Sequence, residues 1–231
     1  MALSSFPPAP FLTAARFLNS IPLVAIDILA YSSKPWGYVI YRTTYTPESD
    51  SLWPRAIDTI NTYVAHFTLE TLTEQNKESL YEETISRLEN ISIQDSALDG
   101  ATYDDLRLHF ATRLQTQDIR GESGDRDLPR ARFSTFLVVD QAALEKIANA
   151  PNPADDGADP RALSRPCLIA VAAQHREGRR LRPTRSARGP RSANEGKLFP
   201  VWMKVTIFTL HELWEANSER LDLIGLCPSD F

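Results

Sequence analysis

Four short runs of aromatic and β-branched residues, separated by unequal stretches of helical pattern, constrain the fold most. Each run has the length and composition of a strand. We predict three helices between the first two strands, one between the second and third, and one after the last, so regular strand–helix alternation is absent. The runs are WGYVIYRTTY from Trp36, RFSTFLVVD from Arg132, CLIAVAA from Cys167 and VWMKVTIFTL from Val201.

This order of elements favours an α+β fold over a doubly wound parallel fold. We expect a mostly antiparallel sheet that carries its helices on one face. A ferredoxin-like arrangement, or two of them paired as a dimeric α+β barrel, is the specific prediction.

The clearest helix follows the first strand. Asp50 or Ser51 can cap it, Pro54 falls in its first turn, and it runs to about Leu72. A weaker helix is predicted over about 78–90, and a third opens at Thr102. The apolar residues of the first helix recur at spacings of three and four and form one stripe. We expect this stripe to pack on the strands at 36–45 and 133–140. It contains Trp53, Ile57, Ile60, Val64 and Phe67.

Composition limits the class of protein. The 231 residues are 42% apolar and 24% charged, which fits a globular chain and neither a disordered one nor a membrane bundle. The most apolar stretch, 11–31, holds Arg16, Pro22 and Asp27, which disfavours a membrane span. The first fifteen residues lack the basic start of a secretory signal, so we expect a cytoplasmic protein without a membrane partner.

Charge is unevenly distributed along the chain. The stretch 161–197 carries nine Arg and one Lys but only two Glu, a formal +8, so the rest of the chain carries −13. An acidic body disfavours nucleic acid as a partner. We predict an N-terminal extension at 1–35 and a single domain at 36–231, interrupted by a disordered Arg-rich insert at about 174–197.

Three stretches resemble a group of uncharacterised proteins from filamentous fungi. They are WGYVIYRTTY at 36–45, FLVVD at 136–140, and WMKVT followed by HELW within 202–214. In that group a W-G-[FY]-x-I-Y-R strand opens the domain, and a W-[MV]-K strand leads into an E-L-W helix. The resemblance implies a shared domain that begins near Trp36. It implies no activity.

No metal or cofactor motif is visible. The four histidines lie far apart, and the spacings of zinc proteases, phosphate loops and nucleophile elbows are absent. We therefore expect neither a metal nor a cofactor. His109 is the candidate catalytic residue, because imidazole is the usual general base near neutral pH. It lies at the edge of the predicted Leu106–Phe110–Leu114 stripe. The alternative is that His109 is a half-exposed helix residue without a catalytic role.

Tyr41, Arg42 and Lys204 are the candidate ligand-binding residues. They combine aromatic and cationic groups with apolar strands, as pocket linings do. For Arg42 a salt bridge with a helix carboxylate such as Asp58 is favoured over anion binding, since buried charges are usually paired.

The predicted function is the binding of a small apolar or aromatic molecule. One alternative is a cofactor-free lyase, dehydratase or isomerase of a fungal biosynthetic pathway, using a His–carboxylate or His–Arg pair. The other is a homodimeric scaffold without a ligand.

Overall fold

The computed structural model describes residues 35–116, 130–155, 157–173 and 202–219. The predicted extension, apart from Pro35, and the predicted insert at 174–197 lie outside the described residues. The strands are β1 (Val39–Arg42), β2 (Ile91–Ile93), β3 (Thr135–Val139), β4 (Cys167–Ala172) and β5 (Trp202–Thr206). The α-helices are α1 (Pro47–Glu74), α2 (Tyr81–Ser86), α3 (Tyr103–Thr116), α4 (Arg130–Ser134), α5 (Gln141–Ala148), α6 (Pro160–Leu163) and α7 (Leu210–Glu219).

The strands form one open, mixed sheet in the order β2-β1-β3-β4-β5. The α+β class is confirmed. The sheet is not mostly antiparallel, however, because β1 pairs in parallel with both β2 and β3, while β3–β4 and β4–β5 are antiparallel. The difference comes from β2, a strand that the sequence analysis did not find. The ferredoxin-like and dimeric-barrel predictions stay unconfirmed.

Helices cover both faces of the sheet rather than one. The crossover from β1 to β2 contains α1, and the crossover from β2 back over β1 to β3 contains α3. Parallel crossovers are almost always right-handed, so two that travel in opposite directions place their helices on opposite faces. The hydrophobic core of the described residues consists of two clusters, one on each face of the sheet, and they show this placement. Helices α1, α5 and α7 pack on the first face, and α3 packs on the second.

Helix α1 supplies the largest part of the first-face core. It begins one turn earlier than expected, because Thr46 caps it in a reciprocal capping box with Ser49 and Pro47 suits its first position. The predicted stripe is confirmed as the packing face: four of its residues are buried, and Ile57 is half-buried against the same cluster.

The predicted helix over 78–90 is shorter in the structure. A 3-10 turn at Glu78–Leu80 leads into α2, and Trp36 then forms a parallel bridge with Leu88 just before β2. Gly37 makes this close approach possible, with φ of 125°. A Cβ at that position would lie 2.6 Å from the carbonyl oxygen of Glu89.

The second face carries the smaller core cluster. The capping box predicted from Thr102 and Asp105 is confirmed by bonds of 3.1 and 3.3 Å between each backbone N–H and the other side chain. The buried residues of α3, which are Leu106, Phe110 and Leu114, pack against the middle of the sheet. The stripe packs against Val39, Tyr41, Phe136, Val138, Ile169 and Val171.

Candidate functional site

Tyr41 and His109 form a hydrogen-bonded pair between the sheet and α3. The Tyr41 side chain is fully buried on the second face of β1, and His109 is half-buried on α3. The Tyr41 hydroxyl lies 2.9 Å from His109 Nδ1. The two rings meet edge to face, with centroids 5.5 Å apart. The structure thus joins two residues that the sequence identified separately.

His109 also lines an open pocket along one side of α3. The pocket measures about 230 Å³, and its other lining residues are Thr112, Arg113 and Thr116. These positions follow His109 at spacings of three, four and seven, so they share one side of the helix. An enclosed cavity of about 150 Å³ holds benzene. The pocket on α3 has a larger volume but is open to solvent, so it can hold a single ring against one side of the helix without enclosing it.

Arg113 is a candidate site residue that the sequence analysis missed. Its side chain is half-buried, and among the described residues no carboxylate pairs with it. Its position four residues after His109 is the signal that could have identified it. A half-buried guanidinium without a carboxylate partner is available to an anionic group in the pocket.

Burial keeps the Tyr41 phenol protonated. It raises the pKa of Tyr41 well above the ordinary 10.0, and the positive charge of Arg113 acts in the opposite direction. The phenol is therefore a hydrogen-bond donor at neutral pH. Tyr41 does not line the pocket itself, so it contacts the site through His109.

Arg42 lies on the opposite face of β1 and belongs to a different environment. It is buried, and its ion pair is with Asp50 in the first turn of α1, not with Asp58. The favoured explanation, a salt bridge, is therefore observed with another carboxylate. The remaining contacts of the guanidinium are the Thr44 carbonyl at 2.7 Å, Ser49 Oγ at 2.7 Å, and the rings of Tyr45 and Trp53 at 4.5 and 5.6 Å.

Lys204 is also separate from the Tyr41–His109 pair. It lies on β5, opposite Ile169 of β4, with an exposed side chain on the second face. Two strands, β3 and β4, separate β5 from β1. The neighbouring Trp202 is 47% exposed and contacts Tyr103, with ring centroids 5.8 Å apart. Of the four candidates, the structure therefore brings only Tyr41 and His109 together.

A second group of titratable residues lies where α7 packs on α1. His211 is buried, and its Nε2 lies 3.1 Å from the Thr71 hydroxyl. Burial lowers the pKa of His211 to about 4, against the opposing effect of the Phe208 carbonyl. Burial raises the pKa of the adjacent Glu212 to about 7. Neither residue is among those that line the pocket on α3, and the pair bears on the stability of the protein.

Within the described ranges, no group of three or more His, Cys, Asp or Glu is arranged to hold a metal ion. No helix there is long and apolar enough to cross a bilayer. The chain matches no protein-family model, and no curated protein or solved structure was found to be similar to it.

Proposed function

We propose that the protein binds a small molecule, with a single-ring aromatic or apolar body, in the pocket on α3. The observation that carries this proposal is the half-buried Arg113 guanidinium beside His109, facing a pocket of about 230 Å³ without a carboxylate partner among the described residues. Small-molecule sites combine apolar surface with a few fixed polar groups. The volume supports a small ligand rather than a large one.

The enzyme alternative would use a His–carboxylate or His–Arg pair, and the pocket holds His109 and Arg113. Arginine keeps its proton in proteins, so His109 is the one acid–base group among these lining residues. Binding is favoured because it needs only the pocket and its fixed polar groups, whereas an enzyme also needs groups that convert the bound substrate. The hydroxyls of Thr112 and Thr116 donate to backbone carbonyls of their own helix. A cytoplasmic location and a homodimer stay predictions.

The test is a titration of the full chain with single-ring aromatic compounds, followed by NMR of the backbone amides. We expect the shifts to concentrate on α3. Arg113→Gln should weaken binding about fivefold to tenfold, the effect of losing one partly exposed charged contact of about 1 kcal/mol. Arg55→Gln is the matched control, since Arg55 is exposed on α1 across the sheet. Equal affinities for the two variants, or shifts confined to another surface, would reject the site.

A further inference from the structure

We propose that the group recognised beside His109 is an oxyanion, a carboxylate in the simplest case, and that Tyr41 sets this preference by fixing which nitrogen of His109 carries the proton. The inference rests on the proposed function, because it specifies the ligand of the same pocket. Tyr41 is a positioning residue in this scheme, acting through His109 without touching the ligand.

The direction of the Tyr41–His109 hydrogen bond follows from the burial of Tyr41. The Tyr41 side chain has no exposed surface, and a buried hydroxyl needs an acceptor. The partner of its hydroxyl in the structure is His109 Nδ1, at 2.9 Å. A phenol that keeps its proton therefore donates to Nδ1, and Nδ1 of the neutral imidazole is the acceptor.

The direction of this hydrogen bond fixes the position of the proton on the neutral His109 ring. When Nδ1 of a neutral ring accepts a hydrogen bond, the proton resides on Nε2. If the ring becomes protonated, Nε2 still carries a proton, and Nδ1–H turns to the phenol oxygen. His109 therefore presents an Nε2–H donor in both charge states. The edge of the ring that remains for the pocket cannot accept a hydrogen bond from a ligand.

Arg113 supplies the second donor group of the pocket. Its guanidinium has donors only and a permanent positive charge. It lies one helical turn from His109 on the same side of α3. Since both threonine hydroxyls donate to helix carbonyls, the free donors of the pocket belong to His109 and Arg113. Two adjacent donors with a net positive charge match the two oxygens of a carboxylate and repel an ammonium group.

The experiment compares three probes that share one ring: benzoate, benzyl alcohol and benzylamine. Their affinities for the full chain are measured by NMR titration. We expect benzoate to bind at least about tenfold more tightly than benzyl alcohol, and benzylamine to bind most weakly. Benzylamine binding as tightly as benzoate at the α3 pocket would overturn the oxyanion assignment and leave the pocket as a binding site. If none of the three shifts α3, the proposed function itself fails.

The tautomer is measured separately, on the ligand-free protein. Imidazole ¹⁵N spectra are recorded as a function of pH, and the tautomer is read from the neutral form of the ring. We expect the His109 proton on Nε2 and a hydrogen-bonded, unprotonated Nδ1. In Tyr41→Phe the Nδ1 signal should move to that of a nitrogen without this donor, and benzoate affinity should fall severalfold while benzyl alcohol changes little. A proton on Nδ1 in the unsubstituted protein would overturn the role of Tyr41 whatever the probes show.

Discussion

The residues His211 and Glu212 make the free energy of unfolding depend on pH, and a substitution of Glu212 isolates its share of that dependence. Glu212→Gln keeps the shape of the side chain and removes its titration. Burial raises the pKa of Glu212 from 4.5 to about 7 and lowers that of His211 from 6.5 to about 4. Each shift corresponds to about 3 kcal/mol at about 1.4 kcal/mol per pKa unit.

The two groups act in opposite directions. The folded state binds the Glu212 proton more tightly than the unfolded state does. The contribution of Glu212 to the free energy of unfolding is therefore fully present below pH 4.5 and is lost as pH rises to about 7. For His211 the unfolded state binds the proton more tightly, so stability is lost as pH falls from 6.5 to about 4. Between pH 4.5 and 6.5 the two slopes largely cancel in the unsubstituted protein.

The assay is urea unfolding at several pH values, followed by tryptophan fluorescence, since Trp36, Trp53 and Trp214 are buried. The free energy of unfolding of Glu212→Gln, minus that of the unsubstituted protein, should increase by about 3 kcal/mol between about pH 4.5 and 7. Glu70→Gln, at an exposed position of α1, is the control for replacing a carboxylate by an amide. A difference for Glu212→Gln that does not change between about pH 4.5 and 7 would refute the reasoning.

Three further predictions concern stability, each measured by the same urea assay. Ile60→Ala removes a fully buried side chain and should cost about 2–5 kcal/mol; a cost below about 0.5 kcal/mol would mean that the α1 stripe is not core. Arg42→Met should cost about 2–3 kcal/mol through lost charged hydrogen bonds and leave benzoate affinity unchanged, whereas an Arg42 ligand site would lose affinity instead. Gly37→Ala should destabilise by more than about 2 kcal/mol, because its Cβ would meet a carbonyl oxygen at 2.6 Å. Gly100→Ala, also at positive φ but with open space around the added carbon, should cost less, and equal costs would contradict the steric explanation.

The sequence predicted the elements that carry strong periodic patterns. The α1 stripe and the strands that became β1, β3, β4 and β5 were each long enough, and apolar enough, to stand out. Strand β2 was missed because it has three half-buried residues, with Ser92 between two isoleucines. That omission also produced the wrong expectations for strand direction and helix placement, since β2 creates both parallel crossovers.

The candidate site was predictable by residue type but not by contact. His109 was found from its place beside a buried stripe, and Tyr41 from its place on an aromatic strand. Their hydrogen bond joins positions 68 residues apart, which no local pattern encodes. The partner of Arg42 was misjudged for a related reason: Asp50 reaches it because α1 begins one turn earlier than its apolar stripe suggests.

The contact between the first strand region and α7 has a consequence for folding during synthesis. The Tyr38 hydroxyl donates to the Leu210 carbonyl, a contact between positions 172 residues apart. At about 5–20 residues per second, synthesis of that span takes roughly 10–30 s. Throughout that interval the segment with Trp36 and Tyr38 is already made, but Trp214 of α7, which contacts both rings, is not. The burial of this segment is therefore completed only after α7 has been synthesised.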